Sequence, residues 1–420
     1  MFNTVRTWMT PDAWPAFARG MLAYGSAEAA TRIVRLGAIL VVARQISPEL
    51  LGTAALALSL FELVRVLTSV GIGQRIIVAT ENELASVCNA AFRLFWGVCL
   101  SVMAIQLIVA AFALAIFPDG GVAMMLAVLS AVYLFMPAGL VQIFLAMRAQ
   151  RMAATARVAA MQNMADAALT VVLVLVWPSA WAIVLPKLLT APLWLVAARR
   201  TYRWAPDRCV QSVHISEFAE FGPAVLGSEL LAAARLHGDK LLVGALLGTD
   251  ALGLYYFAFN AGLGITQSFV AACNIVLFPH LAKSSVGTIG REFRRSFTLG
   301  FLVLCPVVLA QALLAPWYVP VIFGANWIEA APYIALLAGA ALPLYAGAIL
   351  GARSRAVQKP LAETSLMGAA TFAALVGLAA GAQISLAWAC AGFSLGLSTI
   401  LLPAAAIQLF ASTKPAAALA

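Results

Sequence analysis

Charge is scarce in this chain. Of 420 residues only 10% are Asp, Glu, Lys or Arg, while 63% are hydrophobic. A soluble domain carries roughly 25% charged residues, so an ordinary soluble fold is excluded. Histidine is scarcer still, and His214, His237 and His280 share no ligand spacing. The six cysteines, Cys88, Cys99, Cys209, Cys273, Cys305 and Cys390, contain no CxxC pair. Neither a metal site nor another cofactor is therefore expected. No GxxxxGK[ST] occurs, which removes an ATPase from the reading. Long loops are missing too, and with them the external loop or acidic cluster that sugar-joining membrane enzymes need, so the chain reads as a non-enzyme. The first nineteen residues lack a continuous apolar core and hold Trp8, Pro11, Trp14 and Pro15, the pattern of an interfacial segment and not of a secretory signal.

What is abundant is apolar length. A helix needs about 20 apolar residues to cross about 30 Å of hydrocarbon. Twelve such blocks are expected, at 20–43, 51–78, 90–117, 122–147, 155–177, 180–198, 222–247, 251–279, 297–322, 329–352, 361–381 and 384–410. The formal charge of +9 does not point to nucleic acid, because its placement alternates. Connections after even-numbered spans, with adjoining helix ends, hold Arg75 and Arg93; Arg148, Arg151 and Arg157; Arg199, Arg200, Arg203 and Arg208; Lys283, Arg291, Arg294 and Arg295; and Arg353, Arg355 and Lys359. Those after odd-numbered spans hold Arg44 alone. The positive-inside rule then places both termini in the cytoplasm.

The expected fold is an all-α polytopic membrane protein. Residues 1–198 form an N-terminal six-helix bundle, 199–219 a cytoplasmic linker and 220–420 a C-terminal six-helix bundle. A shift of 201 residues aligns "SPELLGTAALALS" (47–59) with "GTDALGLYYFAFN" (248–260), matching Leu51-Gly52 to Leu252-Gly253. Such parallel repeats recur in transporters that handle substrate at the repeat interface. "FMPAG" (135–139), "VLP" (184–186) and "CPVV" (305–308) are candidate bending points.

The few charges inside the spans are the candidate functional residues, since each costs at least about 2.5 to 3.5 kcal/mol at the bilayer centre. Span one carries Glu28, Arg32 and Arg35 on one helical face, the arginines about 18 and 13 Å below Arg44 at 1.5 Å per residue. Span two adds Glu62 and Arg65, span five Asp166, span six Lys187, and span seven Glu229, Arg235, Asp239 and Lys240. Glu28 with Arg32, Glu62 with Arg65 and Arg235 with Asp239 have the spacing of helix-internal ion pairs that only hold bundles together. The competing reading is a wet central cavity with cationic patches. There Arg32, Arg35, Arg65, Arg235, Lys240 and Lys187 bind an anionic substrate, because guanidinium matches paired phosphate oxygens. Asp166, Glu62 and Glu229 are then candidates for ion coupling, and Gln142, Asn163, Tyr255, Tyr256, Asn260 and Gln267 for sugar contacts.

The segments "ARQISPELLGTAALALSL" (43–60), "GIGQRII" (71–77), "GDKLLVGALLGTDALGLYYFAFN" (238–260), "VLFPHLA" (276–282) and "VIFGANWIEAAPYIALLA" (321–338) resemble, in that order, the Wzx-type polysaccharide and oligosaccharide flippases. These belong to the multidrug/oligosaccharidyl-lipid/polysaccharide exporter superfamily. The resemblance implies a V-shaped pair of six-helix bundles in a bacterial inner membrane. It also implies transfer of undecaprenyl-diphosphate-linked oligosaccharide for O-antigen, capsule or exopolysaccharide assembly, with a polysaccharide polymerase and chain-length or export proteins as partners beside membrane lipid. Related flippases use cations of spans one, two and seven or eight toward the diphosphate, and Arg32, Arg35, Arg65 and Arg235 occupy comparable places. Two other functions fit less well. A multidrug exporter of the superfamily predicts an acid-dominated cavity, and a polysaccharide polymerase or ligase predicts glycan extension by the purified chain.

Overall fold

A computed structural model describes residues 37–116, 120–207, 213–214, 216–219, 222–263, 266, 270, 289–357 and 360–411. The described residues are helical, with turns between and no strand. In hydrocarbon every backbone N–H and C=O must be satisfied internally, and apolar runs of this length achieve it as helices. Nine helices among the described residues are long and apolar enough to cross a membrane, and a tenth forms if a bent pair counts as one span. The first expected span lies mostly outside the described residues, as does the second half of the eighth. Expected spans seven and eight join as Gly222–Ala258, broken at Gly248, whose φ of 86° suits a residue without Cβ.

The proline-bearing segments behave differently from one another. Gly121–Leu134 and Pro137–Arg148 meet at 56°, so "FMPAG" does bend span four. Pro186 lies near the end of Ala180–Leu189, followed directly by Ala191–Thr201. Pro306 lies inside Ile289–Phe323 and does not break it. The same helix also takes Pro316 and Pro320; each proline removes one N–H donor, and the remaining ladder of a long helix holds its course.

Internal contacts divide the chain into two compact units, Met1–Gln45 with Phe61–Leu230, and Ile46–Leu60 with Leu231–Ala420. Residues 199–219 fall in the first unit, and 46–60 join the second.

Within the first unit, polar side chains tie apolar helices at defined points. Gln106, fully buried, donates to the Leu126 carbonyl at 3.1 Å and accepts from the Tyr133 hydroxyl at 3.0 Å. Asn89 exchanges two hydrogen bonds with the Asp207 backbone, fastening the segment after span six to Leu84–Ile116. Arg75 bridges Glu83 at 3.0 Å and Glu217 at 2.9 Å. Arg75 and the Thr80 backbone N–H together hold the Glu83 carboxyl at about 2, below its ordinary 4.5. A depressed carboxylate stabilises the fold fully above its unfolded pKa, and the gain is lost as pH falls through the folded one. The Arg75–Glu83 clasp is therefore complete at pH 5 and above, and releases as pH falls toward 2.

In the second unit Pro360–Ala382 and Leu386–Ala411 pack as an antiparallel pair. Gly377 and Gly392 face each other's carbonyl groups so closely that a Cβ on either would overlap the opposing backbone. Small residues let membrane helices approach this far, where dispersion replaces the hydrophobic drive absent in lipid.

Candidate functional site

The second unit buries a charged cluster. Asp239 is 1% exposed and Lys240 6%. The Lys240 ammonium donates to both Asp239 carboxylate oxygens at 3.1 Å and to the Leu236 carbonyl at 2.8 Å. The fully buried Tyr255 donates its hydroxyl to Asp239 Oδ2 at 2.9 Å. The Phe259 ring lies 4.0 Å from Lys240 Nζ, a cation–π contact in a dry setting.

Phe259 opens a π-turn, Phe259–Leu263, that leaves carbonyls without their usual partners. Gln311 Nε2 donates to two of them, Ala261 at 3.1 Å and Gly262 at 3.0 Å. Each charge and each freed carbonyl named here thus has a partner. Arg235, one turn earlier, is exposed, and it carries no bond to Asp239. The expected Arg235–Asp239 pair is therefore replaced by Lys240 and Tyr255 on the carboxylate. Lys240 points inward to its own carboxylate, and Tyr255 is likewise engaged within the bundle.

The first unit holds the remaining described charged candidates. Glu62 accepts two hydrogen bonds from Arg65 at 2.8 and 2.5 Å, in the last turn of Pro48–Arg65. Arg65 is nonetheless 46% exposed. Lys187 and Asp166, from different helices, form an ion pair at 3.0 Å. Asp166 Oδ1 is buried with no hydrogen-bond partner. Spacing placed the two in separate roles, substrate and coupling, because nothing local announces a bridge between Met152–Val176 and Ala180–Leu189.

Glu229 and Asn163 are exposed, Asn260 donates to the Tyr256 carbonyl at 2.8 Å, and Gln142 is buried with Nε2 on the Trp204 carbonyl at 3.3 Å. Glu28, Arg32, Arg35, Gln267 and "VLFPHLA" lie outside the described residues. No group of three or more metal-ligating side chains occurs among the described residues.

The Lys187–Asp166 bridge has a direct test. Lys187→Met is expected to lower stability by about 1 to 3 kcal/mol, the penalty for stranding a polar partner, and exchanging the two residues (D166K with K187D) to restore most of it. Thermal unfolding in detergent reads both, and equal losses in the single and exchanged variants would deny the bridge.

Comparison with known proteins gives a consistent result. The model of a family described as "Polysaccharide biosynthesis protein" matches residues 41–332. The teichuronic acid biosynthesis protein TuaB of Bacillus subtilis (strain 168) is 25% identical over 138 residues, 32% of this chain and 29% of that protein. The succinoglycan biosynthesis transport protein ExoT of Rhizobium meliloti (strain 1021) is 23% identical over 308 residues, 71% of this chain and 60% of that one. The chain thus spans less than two thirds of either relative's length. Among solved structures, lipid II flippase MurJ in an inward closed conformation superposes with a TM-score of 0.76 at 9% identity, covering 94% of this chain and 88% of MurJ. An inward-facing multidrug resistance MATE family transporter of the MOP superfamily gives 0.64 at 14% identity, covering 93% and 96%. At these identities the likeness is one of fold: a multi-pass helical membrane protein with the exporter architecture.

Proposed function

The chain belongs to the polysaccharide biosynthesis protein family, and from that premise we propose that it is a flippase. Its cargo is undecaprenyl-diphosphate-linked oligosaccharide, carried from the cytoplasmic to the outer leaflet of a bacterial inner membrane for exopolysaccharide, O-antigen or capsule assembly. It works by alternating access of two six-helix bundles separated near residues 199–219, without chemistry of its own, and with both termini in the cytoplasm. The observation that carries the reading is the pairing of a polysaccharide-biosynthesis family match over 41–332 with a fold shared with a lipid II flippase.

In this reading Arg32, Arg35, Arg65 and Arg235 receive the diphosphate. The exposure of Arg65 and Arg235 supports their part, since a guanidinium open to a wet chamber keeps donors for phosphate oxygens. Lys240 and Lys187 are better assigned to holding Asp239 and Asp166. The same pairing disfavours an exporter of cationic drugs, because two of the mid-span carboxylates already hold an internal ammonium. Glu62 and Glu229 remain the coupling candidates.

Leaflet-specific labelling of lipid-linked oligosaccharide in cells depleted of the protein tests the proposal. The wild-type gene is expected to restore outward labelling, and Arg35→Ala combined with Arg235→Ala to reduce it at least tenfold. Full rescue by that double variant would remove the diphosphate clamp. Normal labelling in depleted cells would remove the flippase.

A further inference from the structure

Spans five and six leave a groove between Met152–Val176 and Ala191–Thr201, of about 630 Å³. Its floor is made shallow by small side chains, Ala153, Ala154 and Ala197, and its apolar wall by Met161, Leu193 and Val196. These last three are each more than a third exposed. The groove is also lined by Arg151, Arg157 and Arg200.

None of the three arginines has a carboxylate partner among the described residues. Arg151 donates to the Thr201 carbonyl at 3.3 Å and stands over the Tyr202 ring at 5.6 Å. Arg157 donates only to the Ala153 carbonyl of its own helix, at 3.2 Å. Of the other arginines of the even-numbered connections, Arg75 is neutralised by Glu83 and Glu217, Arg148 by Glu81 and Arg355 by Glu363, whereas Arg199 bonds to the Ala138 carbonyl and Arg353 to the Gln408 amide. Three guanidinium groups left without acids beside an open apolar wall are an unbalanced charge. They lie on the side that carries the chain's Lys and Arg, where anionic headgroups concentrate.

The axial spacing fits a lipid. Met161 lies ten residues beyond Arg151 and four beyond Arg157, about 15 and about 6 Å at helical rise, and Leu193 seven residues from Arg200, about 10 Å. A phosphate among the arginines would leave acyl chains along Met161, Leu193 and Val196. We propose that this groove is a binding site for an anionic phospholipid of the cytoplasmic leaflet, phosphate on Arg151, Arg157 and Arg200, acyl chains on the wall between spans five and six. The site is independent of the transport reading and separate from Arg65 and Arg235. Guanidinium is suited to it because its planar fork grips phosphate oxygens in pairs while its stem lies along apolar surface.

The test uses the full chain purified into nanodiscs of equal phosphatidylglycerol and phosphatidylcholine, with retained lipid counted by mass spectrometry after detergent exchange. Wild type is expected to retain phosphatidylglycerol over phosphatidylcholine at least tenfold. The combined variant R151Q/R157Q/R200Q loses that preference, and Arg203→Gln, outside the groove, keeps it. Two further variants guard against misfolding. Arg157→Gln breaks no bond to another helix and is expected to weaken retention at least threefold, and Ala154→Phe fills the groove with every charge intact and does the same. Equal retention by the triple variant, no preference in wild type, or equal loss in Arg203→Gln overturns the site. Displacement of phosphatidylglycerol by equimolar undecaprenyl diphosphate would overturn it in favour of a polyprenyl-diphosphate site.

Discussion

Lys240→Met is expected to destabilise the protein by about 3 to 5 kcal/mol, the usual result of removing one member of a buried ion pair. Asp239 would keep only the Tyr255 hydroxyl at 2.9 Å, in a place 1% exposed. A carboxylate so placed, without its cation, carries a large desolvation cost. Asp239→Asn should cost a similar amount by stranding the ammonium over Phe259. The combined D239N/K240M variant should recover most of the loss, because apolar or neutral replacement of both partners removes the desolvation cost along with the attraction. Unfolding in detergent by denaturant or heat gives the four corners of the cycle, and additive single losses would show that the pair is not coupled. The same double variant separates two roles for Lys240. If the ammonium serves only Asp239, transport survives in the stable double variant; if it grips the substrate diphosphate, transport fails although the fold is restored.

This pair also shows where sequence reading stops. Neighbours one residue apart in a helix do not face each other, so spacing matched Asp239 with Arg235 and assigned Lys240 to substrate. The long lysine stem folds back over its own turn to Leu236 and Asp239, which no periodicity encodes. Glu62 and Arg65, three apart, were legible, because local geometry alone brings them together. Lys187 and Asp166 were seen as charged positions but not as partners, since helix-to-helix register decides that contact. Apolar length located most helices to within a few residues, as in Leu386–Ala411 against the expected 384–410. Proline gave a mixed result. Pro137 follows a short 3-10 stretch, Ser130–Leu134, and the chain bends there, whereas Pro306 has full helix on both sides and is absorbed. The arginine-lined groove was hidden because a positive-inside count treats each arginine as topology, and only the placement of acids elsewhere shows which arginines are left over.

The internal repeat, by contrast, was visible as a pattern before its purpose was. The aligned pairs Leu51-Gly52 and Leu252-Gly253 meet in the second unit. A Cβ on Gly52 would overlap the Thr249 carbonyl, and one on Gly253 the Pro48 carbonyl, far inside the 3.0 Å that Cβ atoms keep from other atoms. Each repeat thus supplies the glycine that lets the other's first turn approach. Gly52→Val and Gly253→Val are each expected to cost more than the about 1 to 3 kcal/mol typical of overpacking, because the obstruction is backbone and has no rotamer to yield. Gly97→Ala is the control, since nothing stands within 4 Å of its added methyl, and Ala is the better helix former. Size-exclusion profile and melting temperature in detergent read all three. An unchanged melting point in Gly52→Val and Gly253→Val would show that the crossing yields. A collapse in both, with Gly97→Ala intact, would mean that these glycines are needed for the close approach of the two segments, since neither needs a left-handed backbone to explain it.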